Sequence, residues 1–128
     1  GTPKPEHHAH FEAAKAALTA CEDAMITGNT FGDVFEAHTK VMDEAGLARH
    51  RLNACGYTLG ARFSPSWMDG EMFYDGNSHV IAPNMTLFAH MIIMDSESGT
   101  AMTLGRTYLT TETAPESLSI HELKLIVK

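Results

Sequence analysis

A chain of 128 residues, 44% apolar and 20% charged, is of the size and make-up of one domain with its own hydrophobic core. A net charge of −7 and the lack of any basic run argue against nucleic acid or an anionic lipid surface as a partner. No apolar stretch approaches the roughly 20 residues of a membrane helix and no signal peptide is visible. The expectation is therefore a cytoplasmic protein, with Cys21 and Cys55 as free thiols rather than a disulfide.

In chain order, Gly1–Pro5 reads as an extended entry, and Pro5 suits the first turn of a helix. Phe11, Ala14, Leu18, Cys21 and Met25 then recur at 3-4-3-4 spacing, one face of a helix that Gly28-Asn29 ends. Thr30, with Asp33 three residues on, predicts the cap of a second helix. Val34, His38, Val41, Met42 and Ala45 form its inner stripe, and Gly46 stops it. His7, His8 and His10 read as a frayed, solvated helix start rather than a metal site.

After Gly46 comes a basic connector with Arg49, His50 and Arg51, read as a solvated surface. Ala54–Leu59 predicts a short strand. Arg62–Asn77, with Phe63, Trp67, Phe73 and Tyr74 among Pro and Gly, predicts an irregular loop. Met85–Met94 is nearly continuous apolar sequence broken by one histidine, His90. The turn cluster Asp95–Gly99 and the following Thr100–Thr111 make it one arm of an antiparallel hairpin. The rough alternation of Glu122–Lys128 predicts a terminal edge strand. Two helices followed by antiparallel strands give an α+β fold, a single domain over residues 1–128.

An Ala-rich helix, Gly28–Val34, a second helix ending Gly46-Leu47, then Gly56-Tyr57-Thr58-Leu59-Gly60, Pro83-Asn84-Met85 and Tyr108–Glu112 occur in that order. This series resembles the C-terminal half of the pita-bread family, which includes methionine aminopeptidase, aminopeptidase P, prolidase and creatinase. The resemblance implies half of a two-lobed fold, with two helices packed on a curved antiparallel sheet. It also implies hydrolysis of a C–N bond, as in Xaa-Pro peptidases, on a small molecule or dipeptide. Peptidases of the family hold two divalent metals with two aspartates, a histidine and two glutamates. Here the histidine position falls on Tyr57 and the glutamate positions on His90 and Gly105. The two aspartates would precede Gly1, so the chain reads as a fragment of a longer parent, inactive alone, with no metal as cofactor.

Within that resemblance His90 and Tyr57 are the candidate catalytic groups, and Trp67, Asp69 and Arg106 the candidate substrate-binding groups. The bland alternatives are a hydrogen-bonded sheet histidine, a packed tyrosine, a solvated loop and an exposed strand arginine. The rival function is a non-catalytic self-associating module, or a metal-free lyase or amidinohydrolase-type enzyme on the same scaffold. The self-associating reading expects a homodimer that mimics the two halves, because the surface the missing half would cover is exposed.

Overall fold

The computed structural model describes residues 1–63 and 65–128. Two helices, α1 (Pro5–Ala24) and α2 (Phe31–Glu44), precede five strands. These are β1 (Gly56–Leu59), β2 (Met68–Met72), β3 (Thr86–Asp95), β4 (Thr100–Leu109) and β5 (Glu116–Ser117). They form one antiparallel sheet in the order β2-β1-β3-β4-β5. α1 packs on β3 and β4, and α2 packs on α1.

The apolar spacing of α1 does what its pattern predicts: Phe11, Ala14, Leu18, Cys21 and Met25 are buried. α2 starts on a reciprocal cap, in which Asp33 N–H donates to Thr30 Oγ1 while Thr30 N–H donates to the Asp33 carboxylate. Those bonds hold the Asp33 carboxyl below its ordinary pKa. Against these helices β3 turns Leu87, Ala89, Met91 and Ile93, all fully buried. Tyr108 of β4 joins the same core, and its hydroxyl donates to Glu22 Oε2 of α1 at 2.8 Å. Burial, reinforced by Glu22, pushes the Tyr108 pKa up. At Gly56 the backbone runs so close to the core that a Cβ would lie 2.6 Å from the Phe73 ring.

Several sequence expectations need correction. His10 is buried, not solvated: its Nδ1 lies 3.3 Å from Thr100 Oγ1 and its Nε2 3.7 Å from the Asp95 carboxylate. His10 sits one turn before Ala14 on the core face, so the helix presents it to the hairpin turn. The connector is also engaged. Arg51 forks onto Asp43 at 2.6 and 3.2 Å, and His50 lies 3.7 Å from Asp95. The region expected to be a loop contains β2, whose residues are exposed or half-buried on both faces. A strand wet on both sides carries no alternation to read. The C-terminal strand does not form. β5 pairs with the end of β4, and the tail beyond it lies on the core surface through Leu123 without a ladder partner. Cys21 and Cys55 are buried free thiols.

His38 of α2 is almost fully buried, with no hydrogen-bond partner for Nδ1 among the described residues. Burial first, then the Arg51 guanidinium, lowers its pKa to about 4. The folded state therefore prefers the neutral ring. Its contribution is fully present above the unfolded pKa near 6.5 and is lost as pH falls toward the folded value, by about 3 kcal/mol. Urea denaturation between neutral and mildly acidic pH should show this loss. A His38→Leu variant should show a shallower acid dependence than the parent chain.

Candidate functional site

The period-2 geometry of a strand sends alternate β3 residues to opposite faces. Leu87, Ala89, Met91 and Ile93 face the helices, so Thr86, Phe88, His90, Ile92 and Met94 face the other way. Register carries this face across the sheet. On β4 it holds Leu109, Thr107, Gly105, Thr103 and Ala101, and on β1 it holds Tyr57, opposite Phe88. Across these three strands the open face bears no Asp, Glu, Lys or Arg.

His90 lies at the centre. Its Nε2 is 2.8 Å from Thr103 Oγ1, and its ring stands 5.0 Å from the Phe88 ring. Phe88 in turn lies 5.4 Å from the Tyr57 ring. Burial holds the His90 pKa below its ordinary value, so the ring is neutral at pH 7. In the tautomer whose Nε2–H donates to Thr103 Oγ1, Nδ1 is the nitrogen left to accept a proton. Gly105 faces His90 directly across the ladder. A Cβ at Gly105 would sit 2.6 and 2.9 Å from Phe88 Cζ and Cε2. The Phe88 ring thus fills the room that any side chain at 105 would need.

The turn entering β3 fixes this arrangement. Asn84 adopts a left-handed φ of 66°. Buried Thr110 closes the turn: its Oγ1 donates to the Ala82 carbonyl at 2.6 Å and accepts from Met85 N–H at 2.8 Å. Its backbone exchanges two further bonds with Asn84 and Met85. The first residue of β3, and with it the parity that puts His90 on the open face, is set there.

The candidate residues divide. Tyr57 and His90 share the open face, diagonal neighbours across β1 and β3, a spacing of about 7–8 Å in a regular sheet. Arg106 does not join them. It is opposite Ala89 on the helix face, where its Nη2 donates to the His121 carbonyl and its Nε is buried without a partner among the described residues. An arginine under the C-terminal tail is remote from the open face. Asp69 pairs with Arg62 at 3.4 Å and lines a separate depression of about 360 Å³ with Thr58, Glu71, His79 and Asn84. Trp67 is exposed just before β2. Phe88 and Thr103 were not singled out from the sequence. Their parity with His90 was the available signal, and the near-continuous apolar run of β3 hid which parity faces outward.

The resemblance implies two metal ions on this face. Among the described residues no three His, Cys, Asp or Glu side chains group so as to hold an ion. At the three expected ligand positions stand a tyrosine stacked on Phe88, a histidine bonded to Thr103, and a glycine covered by Phe88. This donor set does not fit a two-metal centre, which needs bridging carboxylates.

The family model for metallopeptidase family M24 matches residues 1–112. No curated protein sequence matches the chain. Among solved structures, dipeptidase PepE from Mycobacterium ulcerans superposes with a TM-score of 0.87 at 21% identity, covering 98% of this chain and 33% of that one. The Xaa-Pro dipeptidase from Bacillus anthracis gives 0.89 at 13% identity, covering 98% and 34%. The N-terminal domain of FACT complex subunit SPT16 from Cicer arietinum (chickpea) gives 0.79 at 14% identity, covering 94% and 30%. The chain spans about a third of the length of each of these proteins.

The clamp at Thr110 yields a direct test of the geometry. Thr110→Val keeps the shape but leaves the Ala82 carbonyl and Met85 N–H without their side-chain partner, and should cost about 2 kcal/mol in urea denaturation. Thr110→Ser should retain most of that stability.

Proposed function

This chain belongs to metallopeptidase family M24, and from that premise we propose that it contributes the open sheet face of a C–N bond hydrolase acting on a small molecule or dipeptide. Its fold is a partial pita-bread domain, two helices and an antiparallel sheet. The observation that carries the proposal is the convergence of Tyr57, His90 and Gly105 on one face, at the positions where the family resemblance implies metal ligands.

The chemistry is assigned to groups of this chain rather than to metal ions. Neutral His90, its Nε2–H donating to Thr103, accepts a proton from the attacking water at Nδ1 and passes it to the leaving nitrogen as the C–N bond breaks, so that His90 ends neutral. The Tyr57 hydroxyl donates to the carbonyl oxygen as charge builds on it. The diagonal spacing of the two residues leaves room for a small substrate between them. Trp67 is exposed just before β2, and Arg106 and Asp69 stay outside this scheme. Cleavage of Xaa-Pro dipeptides and of small cyclic and linear amides is the assay, run with and without chelator. Under this reading turnover is indifferent to chelator, and His90→Gln or Tyr57→Phe lowers it about a hundredfold or more. Turnover that chelator abolishes, or that survives both substitutions, would contradict it.

A second reading has its own support. A FACT complex subunit shares this fold, and across β1, β3 and β4 the open face combines aromatic, aliphatic and neutral polar side chains with no Asp, Glu, Lys or Arg. Such a face suits association, with a second copy of the chain as the proposed partner. Light scattering on the purified chain at micromolar concentration separates the cases. A dimer that Phe88→Asp dissociates supports self-association, and a monomer at all concentrations counts against it.

A further inference from the structure

We infer that Phe88 is the residue that turns the ion-binding face of this fold into an ion-free one, and that Gly105 is its obligatory steric counterpart. The inference rests on the reading of the open face as the functional site, and goes beyond it by naming a reciprocal pair. Phe88 shares the open face with His90 two residues on, and its ring crosses to β4 above Gly105. A ligand carboxylate at 105 would have to start from a Cβ placed 2.6 Å from Phe88 Cζ, well inside carbon–carbon contact distance. The obstruction is the outer edge of the ring, with the Ala89 carbonyl oxygen 3.1 Å away as a second, backbone neighbour. Phe88 is wedged between the Tyr57 ring at 5.4 Å and the His90 ring at 5.0 Å, so moving it disturbs both candidate catalytic groups.

Two positions thus act as one. Glycine at 105 leaves the space and Phe88 fills it, its ring tilted against both Tyr57 and His90. The same packing withholds His90 from a metal, because its Nε2 is engaged by Thr103 at 2.8 Å and, among the described residues, it joins no group of three metal-ligating side chains. The ligand class that fits is one recognised through aromatic faces and neutral hydrogen-bonding groups, without cation-mediated contacts.

Two measurements test this, and neither reads turnover, so both stand apart from the fate of the hydrolase reading. The first is a double-mutant cycle in urea with Gly105→Ala and Phe88→Leu, since leucine lacks the Cε and Cζ atoms that occupy the space. Gly105→Ala in the parent chain should reduce the folding equilibrium constant about tenfold or more, and in the Phe88→Leu background by much less, the remainder reflecting the Ala89 carbonyl oxygen 3.1 Å from the added Cβ. Equal cost in both backgrounds overturns the inference. The second uses the parent chain alone, titrated with cobalt(II) while the ring nitrogens of His90 are followed by ¹⁵N NMR. Signals of His90 that stay unchanged at stoichiometric cobalt support the inference. Paramagnetic shift or broadening of His90 that a His90→Gln variant removes from the cobalt spectrum overturns it, even if Gly105→Ala proves too unstable to measure.

Discussion

The ladder between β3 and β4 decides nearly everything else about this molecule. Ten consecutive pairs, from Thr86–Leu109 to Asp95–Thr100, run without a bulge. Because strand side chains alternate, that single register places Leu87, Ala89, Met91 and Ile93 under α1 and sends Phe88 and His90 to the open side. A slip of one residue would exchange the two sets, burying His90 and exposing the core. The Thr110 clamp at one end and the Asp95 turn at the other hold the register from both sides. At the second end Asp95 receives N–H bonds from Glu97 and Ser98 and lies near His10 and His50.

Much of this was legible in the residues. Both helices, their Gly-marked ends and the Thr30 cap followed from spacing and from the limited repertoire of cap chemistry. The hairpin was legible because Asp95–Gly99 interrupts two long runs. What the pattern could not show were elements whose evidence is tertiary. β2 exists because β1 offers it an edge, and its own residues, Asp69-Gly70-Glu71 among them, are poor strand formers. The alternation of the tail was read as a strand, but there it marks a segment lying on a surface, with Leu123 turned inward. His10 was missed because a histidine near a helix start looks wet until the hairpin turn is placed above it.

The candidate site shows the same division. His90 and Tyr57 were found because each stands where the family resemblance implies a ligand, and the sheet does bring them to one face. Arg106 was adjacent to Gly105 in sequence, yet adjacency along a strand means opposite faces, and parity was the information that the comparison by motif did not use. Phe88 was invisible for a different reason. In an apolar run it looks like core, and only the register shows that it serves the other side of the sheet.

The fit of the Phe88 ring over Gly105 also bears on which substitutions the chain tolerates. A side chain added at 105 alone collides with the ring, and a smaller residue at 88 alone leaves a hollow beside Tyr57 and His90. The two positions are therefore open to joint change and resist change one at a time.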